Sequence, residues 1–258
     1  MESEGLSMRL GLVLPARADS LVEVARSAER IGFDSLWVTD TLNRGSMRSD
    51  PLIALGVAAA VTDRIGLGSC VVQAPLRPPF LLANQVGTVA ALAGGRLTLG
   101  LGAGSIPRDF EAVGVDYAAR FKLLQRHADT VRALLAGQEV DGASLSSWDD
   151  LPPVPVLIGA WASASGRWLR KAAQEYNGWI ASAASTELET MVDALATFRE
   201  MAPHGGRAVA ANVLSWRPGS HALVRQLDAA GFDEAVLMLQ SYDEDSLKRA
   251  RDMGESTT

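Results

Sequence analysis

Thiol and imidazole chemistry have little to draw on in this chain. Its 258 residues include one cysteine, Cys70, and three histidines, His127, His204 and His221. A single cysteine cannot close an internal disulfide, which fits a reducing cytoplasm. With no His-Glu-x-x-His, no Cys-x-x-Cys and no carboxylate cluster, no metal site is expected. Basic charge is also short. Twenty-four Lys and Arg against thirty Asp and Glu leave a formal charge of −6, whereas nucleic-acid binding needs a basic face. No apolar run approaches the ~20 residues that cross a bilayer, and the acidic start MESEGLS lacks the apolar stretch of a secretory signal. The expectation is a soluble cytoplasmic domain with a small-molecule partner, no nucleic acid and no membrane.

Apolar residues, by contrast, are plentiful: 48% hydrophobic against 21% charged provides a large core and argues against disorder. The length suits one domain over 1–258 and is close to the ~250 residues of a typical (β/α)8 barrel. Eight strand candidates follow one another at 8–14, 34–39, 65–72, 96–101, 154–159, 178–182, 207–214 and 234–239. Helical patterns alternate with them. Ser20 is placed to cap the first and Gly32 to close it, while Asp50-Pro51 starts the next with a cap and a proline at the first helical position. Further helical runs are 80–92, 119–136, 164–175, 186–201, 220–230 and 243–252, and 137–153 reads as a loop. Strand–helix alternation repeated eight times favours a closed α/β barrel over an open doubly wound sheet.

In such barrels the working residues sit at the C-terminal ends of the strands. Thr39-Asp40-Thr41 ends the second, with Asp40 read as either a loop-capping carboxylate or a catalytic group. Cys70 ends the third and reads first as a small buried apolar residue; no histidine stands in a partner position to make it a nucleophile. Gly102-Ala103-Gly104-Ser105 ends the fourth, as a tight turn or as a floor that a ligand approaches closely. A dinucleotide fingerprint fails there, because Ser105 stands where the third glycine should be. After the fifth strand, Gly159-Ala160-Trp161-Ala162-Ser163-Ala164-Ser165-Gly166-Arg167 opens a helix. Its amides, with the Ser163 and Ser165 hydroxyls and Arg167, suit a phosphate, although Ser163 could be an ordinary cap. Ser182 is a further contact, and Trp161 and Trp216 could face a ring system.

The order LGS-x-V-x-x-x-P-x-R-x-P (67–79), then GGR-x-x-LG-x-GAG (94–104), resembles the luciferase-like flavin monooxygenases, which include oxidoreductases using the deazaflavin coenzyme F-420. The runs Met8–Pro15, Gly32–Asp40, Pro153–Ala160 and Asn177–Ile180 agree with the family's first, second, fifth and sixth strands. The resemblance implies a luciferase-like TIM barrel using F-420, or FMN as the alternative, for hydride transfer or oxygenation of a small organic substrate. It further implies a non-proline cis peptide after Cys70, a bulge that supports the coenzyme ring, and a homodimer formed through helices beside the second to fourth strands. The apolar run Leu52–Val61 fits that pairing. Thr39, Cys70, Val71, Gly102, Ala103 and Gly104 are then expected to meet the coenzyme, with Gly159, Ala160, Ser163, Ser165 and Ser182 at its phosphate. Asp40, Thr41 and Ser105 are the catalytic candidates. Two departures stand out: Thr41 replaces a histidine found in many relatives, and Ser105 replaces a glutamate found in some. Trp216-Arg217-Pro218-Gly219 also leads almost directly into a helix, so the long late insertion of many relatives is absent and shortened late loops are expected. These departures keep open a cofactor-binding or degenerate barrel without turnover.

Overall fold

A computed structural model describes residues 6–42, 45–145, 151–160 and 166–254. Its strands are β1 (Arg9–Val13), β2 (Ser35–Val38), β3 (Gly66–Ser69), β4 (Val72–Gln73), β5 (Leu97–Gly102), β6 (Val156–Gly159), β7 (Gly178–Ser182), β8 (Arg207–Leu214) and β9 (Glu234–Met238). All pairings between them are parallel, in the order β3-β2-β1-β9-β8-β7-β6-β5-β4. The sheet closes because β5 pairs twice: with β3 through Leu67–Leu97 and Gly68–Thr98, and with β4 through Val72–Leu101 and Gln73–Gly102. β3 and β4 are therefore two halves of one staff, and the barrel has eight staves among the described residues. The expected continuous strand 65–72 is interrupted at Cys70-Val71, where the peptide bond is cis.

The helices packed outside are α1 (Leu21–Ile31), α2 (Pro51–Val61), α3 (Pro79–Ala93), α4 (Pro107–Val113), α5 (Arg120–Leu135), α6 (Arg167–Gln174), α7 (Leu188–Met201), α8 (Ser220–Ala230) and α9 (Glu244–Arg251). α1 buries Leu21, Val24, Ala25 and Ala28 at helical spacing and ends at Gly32 with φ 99°, a left-handed cap that costs glycine least. At α2 the Asp50 carboxylate accepts from the amides of Leu52 (2.9 Å) and Ile53 (3.2 Å). The cap expected from Ser20 is not made; its hydroxyl turns back to the Arg17 carbonyl at 3.4 Å. α4 was not expected, and Gly219 leads directly into α8, so the loop after β8 is short.

Two apolar layers result. One lies between barrel and helices, and the other fills the barrel with Val13, Trp37, Cys70, Leu157, Ile180, Val209, Ala211 and Val236. Trp37 fits because its neighbours lack side chains: a Cβ at Gly68 would stand 2.6 Å from the Trp37 ring, and one at Gly11 2.9 Å from it. The N-terminal end of the barrel is plugged by a polar group. Glu234, fully buried, accepts from Trp37 Nε1 (2.7 Å) and the Ser35 hydroxyl and pairs with Arg207, which also donates to Thr98 Oγ1 (3.2 Å). Among the described residues no helix is long and apolar enough to cross a membrane.

Candidate active site

The C-terminal ends of the strands form the barrel mouth, and the break in the third staff dominates it. Ser69 anchors the break from below: its hydroxyl donates to the Gly100 carbonyl and accepts from the Gly100 amide, both at 2.9 Å. The Cys70 amide donates to the Val38 carbonyl at 2.8 Å. Val71 then lies across the ends of β5 and β6. A Cβ at Gly102 would run into Val71 Cγ2, and one at Gly159 would stand 2.7 Å from Val71 Cγ1. Two glycines on neighbouring strands thus make the space in which Val71 sits at the mouth. Cys70 is buried, and that burial, with the negative charge of Glu234 below it, pushes its thiol well above the ordinary range. It is a packed thiol rather than a thiolate nucleophile.

Asp40 is fastened. Its Oδ2 accepts from the Gln73 amide at 2.9 Å and pairs with Arg77 Nη1, while Nη2 of the same arginine reaches Asp40 Oδ1 at 3.3 Å and Asp50 Oδ2 at 3.1 Å. The Gln73 side chain donates to the Asp40 carbonyl at 2.9 Å and to Asp109 at 3.3 Å. Burial opposes the Arg77 charge, but bonds to Asp40 and Asp50 and their charges outweigh it and raise its pKa. The carboxylate therefore ties the end of β2 to β4 and, through Arg77, to α2, while the Gln73 side chain links the Asp40 carbonyl to Asp109 in α4. Its neighbour differs: Thr41 Oγ1 is buried with no hydrogen-bond partner among the described residues. Thr39 is half-buried and lines a narrow pocket with Leu14, Pro15, Val38, Arg48 and Ser49. A more open groove between the C-terminal ends of α2 and α3, at Thr62, Asp63, Arg64 and Arg96, lies at the opposite end of the barrel.

The other expected residues are distributed around the same rim. Ala103 is buried and Gly104 adopts φ 77°, while Ser105 is exposed and its carbonyl accepts from the Tyr117 hydroxyl at 3.2 Å. At the end of β6, Gly159 and the following Ala160 are half-buried. The Ala160 amide donates to the Ile180 carbonyl (3.2 Å) and its carbonyl accepts from Trp179 Nε1 (3.0 Å). Trp161, Ser163 and Ser165 lie outside the described residues; Arg167, exposed, begins α6. Ser182, half-buried at the end of β7, accepts from the Ser185 hydroxyl at 3.1 Å. Trp216 is 41% exposed. Among the three histidines, His127 is buried with Nδ1 2.9 Å from the Ala74 carbonyl, and the other two are exposed.

Two mouth residues were not expected. Asn212, in β8, has φ 60° and a buried Oδ1 with no partner among the described residues. Tyr242 stands four residues beyond β9, and burial pushes its phenol up to about 12, against hydrogen bonding from the Leu239 backbone. Position just after a strand end was the one available signal for Tyr242, and Asn212 offered only its polarity within a strand.

A family profile for luciferase-like monooxygenases matches residues 6–219. The chain belongs to that family. An uncharacterized protein of Mycobacterium tuberculosis is 30% identical over 212 residues, 70% of this chain and 72% of that one. The F-420-dependent glucose-6-phosphate dehydrogenase of Beutenbergia cavernae is 36% identical over 186 residues, 66% of this chain and 55% of the enzyme. The crystal structure of monooxygenase RslO1 from Streptomyces bottropensis superposes with a TM-score of 0.79 over 96% of this chain and 98% of that one, at 15% identity, and so shares the fold. Members of the family use F-420 or FMN.

Proposed function

We propose that this chain is an oxidoreductase that holds coenzyme F-420, with FMN as the alternative, at the barrel mouth and uses it on a small organic substrate. The observation that carries this reading is Val71, seated on Gly102 and Gly159 at the mouth. It offers a flat apolar step for a ring in a family of flavin-type oxidoreductases. Thr41 Oγ1, buried and unpartnered among the described residues, fits a ligand that brings its own hydrogen-bond group. The relative named for F-420 dependence favours that coenzyme over FMN.

The bound coenzyme supplies the hydride chemistry; the chain binds, orients and shields it. Cys70 and Val71 form the step, with Gly102, Ala103 and Gly104 as floor and Thr39 at the edge. Gly159 and Ser182, with the hydroxyls of Ser163 and Ser165, would hold the phosphate. Ala160 contributes position rather than its amide, which is spent on Ile180. Thr41 orients the reacting end. Asp40, held by Arg77, sets the loop that carries Thr41. Ser105 offers a hydroxyl where some relatives carry a carboxylate.

A second reading, a cofactor-binding barrel without turnover, draws on that same Asp40–Arg77 pair, because it leaves the candidate catalytic residues without a free acid or base. Titration of the purified protein with oxidised F-420 and, separately, with FMN, followed by fluorescence, tests the first reading. Binding of neither removes it, and binding without reductase activity favours the second.

The chain is further proposed to pair as a homodimer through α2 and α3, whose Ile53 (70%), Leu81 (52%) and Leu92 (51%) are exposed apolar residues. A monomeric mass by sedimentation at micromolar concentration would count against it.

A further inference from the structure

β8 breaks step with β9. Val209 and Ala210 pair with Glu234 and Ala235, and Val213 and Leu214 pair with Leu237 and Met238. Two residues, Ala211 and Asn212, therefore stand against one, Val236, which is a β-bulge. Ala211 and Val236 both belong to the cluster inside the barrel, so the bulge falls in the register that faces the interior. It lies level with Ser182, which pairs with Ala211, at the mouth end of the strand. Around the barrel β8 is the seventh staff and the β3–β4 break the third, so Asn212 and Val71 stand on opposite walls.

Asn212 combines a left-handed φ of 60° with a buried Oδ1 that has no partner among the described residues. Asparagine tolerates that backbone better than most residues, which accounts for its presence at the bulge. Tolerance does not account for the oxygen. Buried acceptors are nearly always satisfied, and a bulge at a barrel rim serves to re-aim a side chain. A local turn would leave that oxygen bonded to backbone or open to water, and it is neither.

Given the proposed coenzyme, we infer that Asn212 reads the imide edge of its ring: Oδ1 accepts from the ring N–H at N3, and the carboxamide nitrogen donates to an adjacent ring carbonyl. The inference rests on the function proposed above. F-420 and oxidised FMN share this pyrimidinedione edge, and N3–H is the ring N–H donor of both. A primary carboxamide complements an imide, matching acceptor to donor and donor to acceptor. Val71 then supports the face of the ring from one wall while Asn212 fixes its edge from the other. A ribityl hydroxyl is the competing donor, and N3-methylation separates the two.

The test titrates the full chain with F-420, FMN and N3-methyl-FMN by fluorescence, for the wild type, Asn212→Gly and Asn212→Asp. Glycine keeps the left-handed backbone while removing the amide, and aspartate keeps an acceptor. Thermal unfolding without coenzyme identifies variants that fold as the wild type does. The expected result is that Asn212→Gly weakens F-420 and FMN by about tenfold or more, since each of the two lost hydrogen bonds is worth up to about tenfold. Wild type should prefer FMN to N3-methyl-FMN by a similar factor, with the preference lost in Asn212→Gly and partly kept in Asn212→Asp. If wild type binds a coenzyme and Asn212→Gly binds it equally well, the inference falls while the function stands. It falls also if the preference against N3-methyl-FMN survives in Asn212→Gly. If wild type binds no coenzyme, both fall.

Discussion

Arg77 reaches Asp40 and Asp50 at once, so one guanidinium joins the end of β2 to the cap of α2. Its side chain is 13% exposed and that of Asp40 1%, which removes most of the solvent screening that makes surface pairs weak. Replacing Arg77 by Met should leave Asp40 as an uncompensated buried charge and cost about 3–5 kcal/mol. The double variant Arg77→Met/Asp40→Asn should recover much of that loss. Urea denaturation of the single and double variants checks this; equal losses in both would mean that the pair contributes little.

The seat of Val71 gives a second expectation. Gly102→Ala places a methyl against Val71 Cγ2, and overpacking of this kind costs about 1–3 kcal/mol. Shifting Val71 also disturbs the proposed ring platform, so affinity for the coenzyme should fall with stability. Adding Val71→Ala should relieve the clash, and the interaction energy from the double-mutant cycle should be favourable. Additive losses would show that the two positions do not share the space.

The order of strands and helices was legible because apolar runs alternate with Pro and Gly punctuation. Leu97–Gly102 and its Gly94-Gly95 stop are read directly from residue types. α4 was missed because Pro107–Val113 is only seven residues long, too short for a helical period to emerge beside its flanking loops. The split of the third staff came from family resemblance; the local run from Ile65 to Val72 reads as one strand. Asp40 carried no sign of its partner, since Arg77 stands 37 residues away and meets it only once β2 is paired with the third staff through β3. Asn212 was hidden for a related reason. Within RAVAANVL it is one polar residue in a strand, and its bulge exists only in the pairing with β9.

Cys70 predicts the alkaline behaviour. Burial raises its thiol above the unfolded value of about 8.5, so the folded protein keeps a proton that the unfolded chain gives up. The stability this contributes is complete below pH ~8.5 and declines as pH rises beyond it, with a slope of at most about 1.4 kcal/mol per pH unit. Cys70→Ala should flatten that decline between pH 8.5 and 10, measured as denaturation free energy against pH. The native thiol should also resist a disulfide reagent at neutral pH and react once the chain is unfolded. Rapid reaction of the native protein would contradict the burial argument.

Glu234 plugs the end of the barrel away from the mouth, and that separation makes its variants informative. Its carboxylate is fully buried, accepts from Trp37 and Ser35, and pairs with Arg207, whose side chain is 25% exposed. Glu234→Leu removes the acceptor for three donors and leaves Arg207 without its counter-charge. The expected loss is about 3–5 kcal/mol, the range for breaking a buried pair. Glu234→Gln keeps an acceptor for Trp37 and the hydroxyl, and Arg207 can turn its guanidinium toward solvent, so its loss should be smaller. At roughly 2–4 °C per kcal/mol for a chain of this size, thermal scans resolve the two. Coenzyme affinity in either folded variant should match the wild type, because these groups lie beneath Trp37 and Gly68 rather than at the strand ends that carry Val71 and Asn212. A Glu234→Gln protein with unchanged melting but weakened coenzyme binding would place the working end of the barrel at the plug instead.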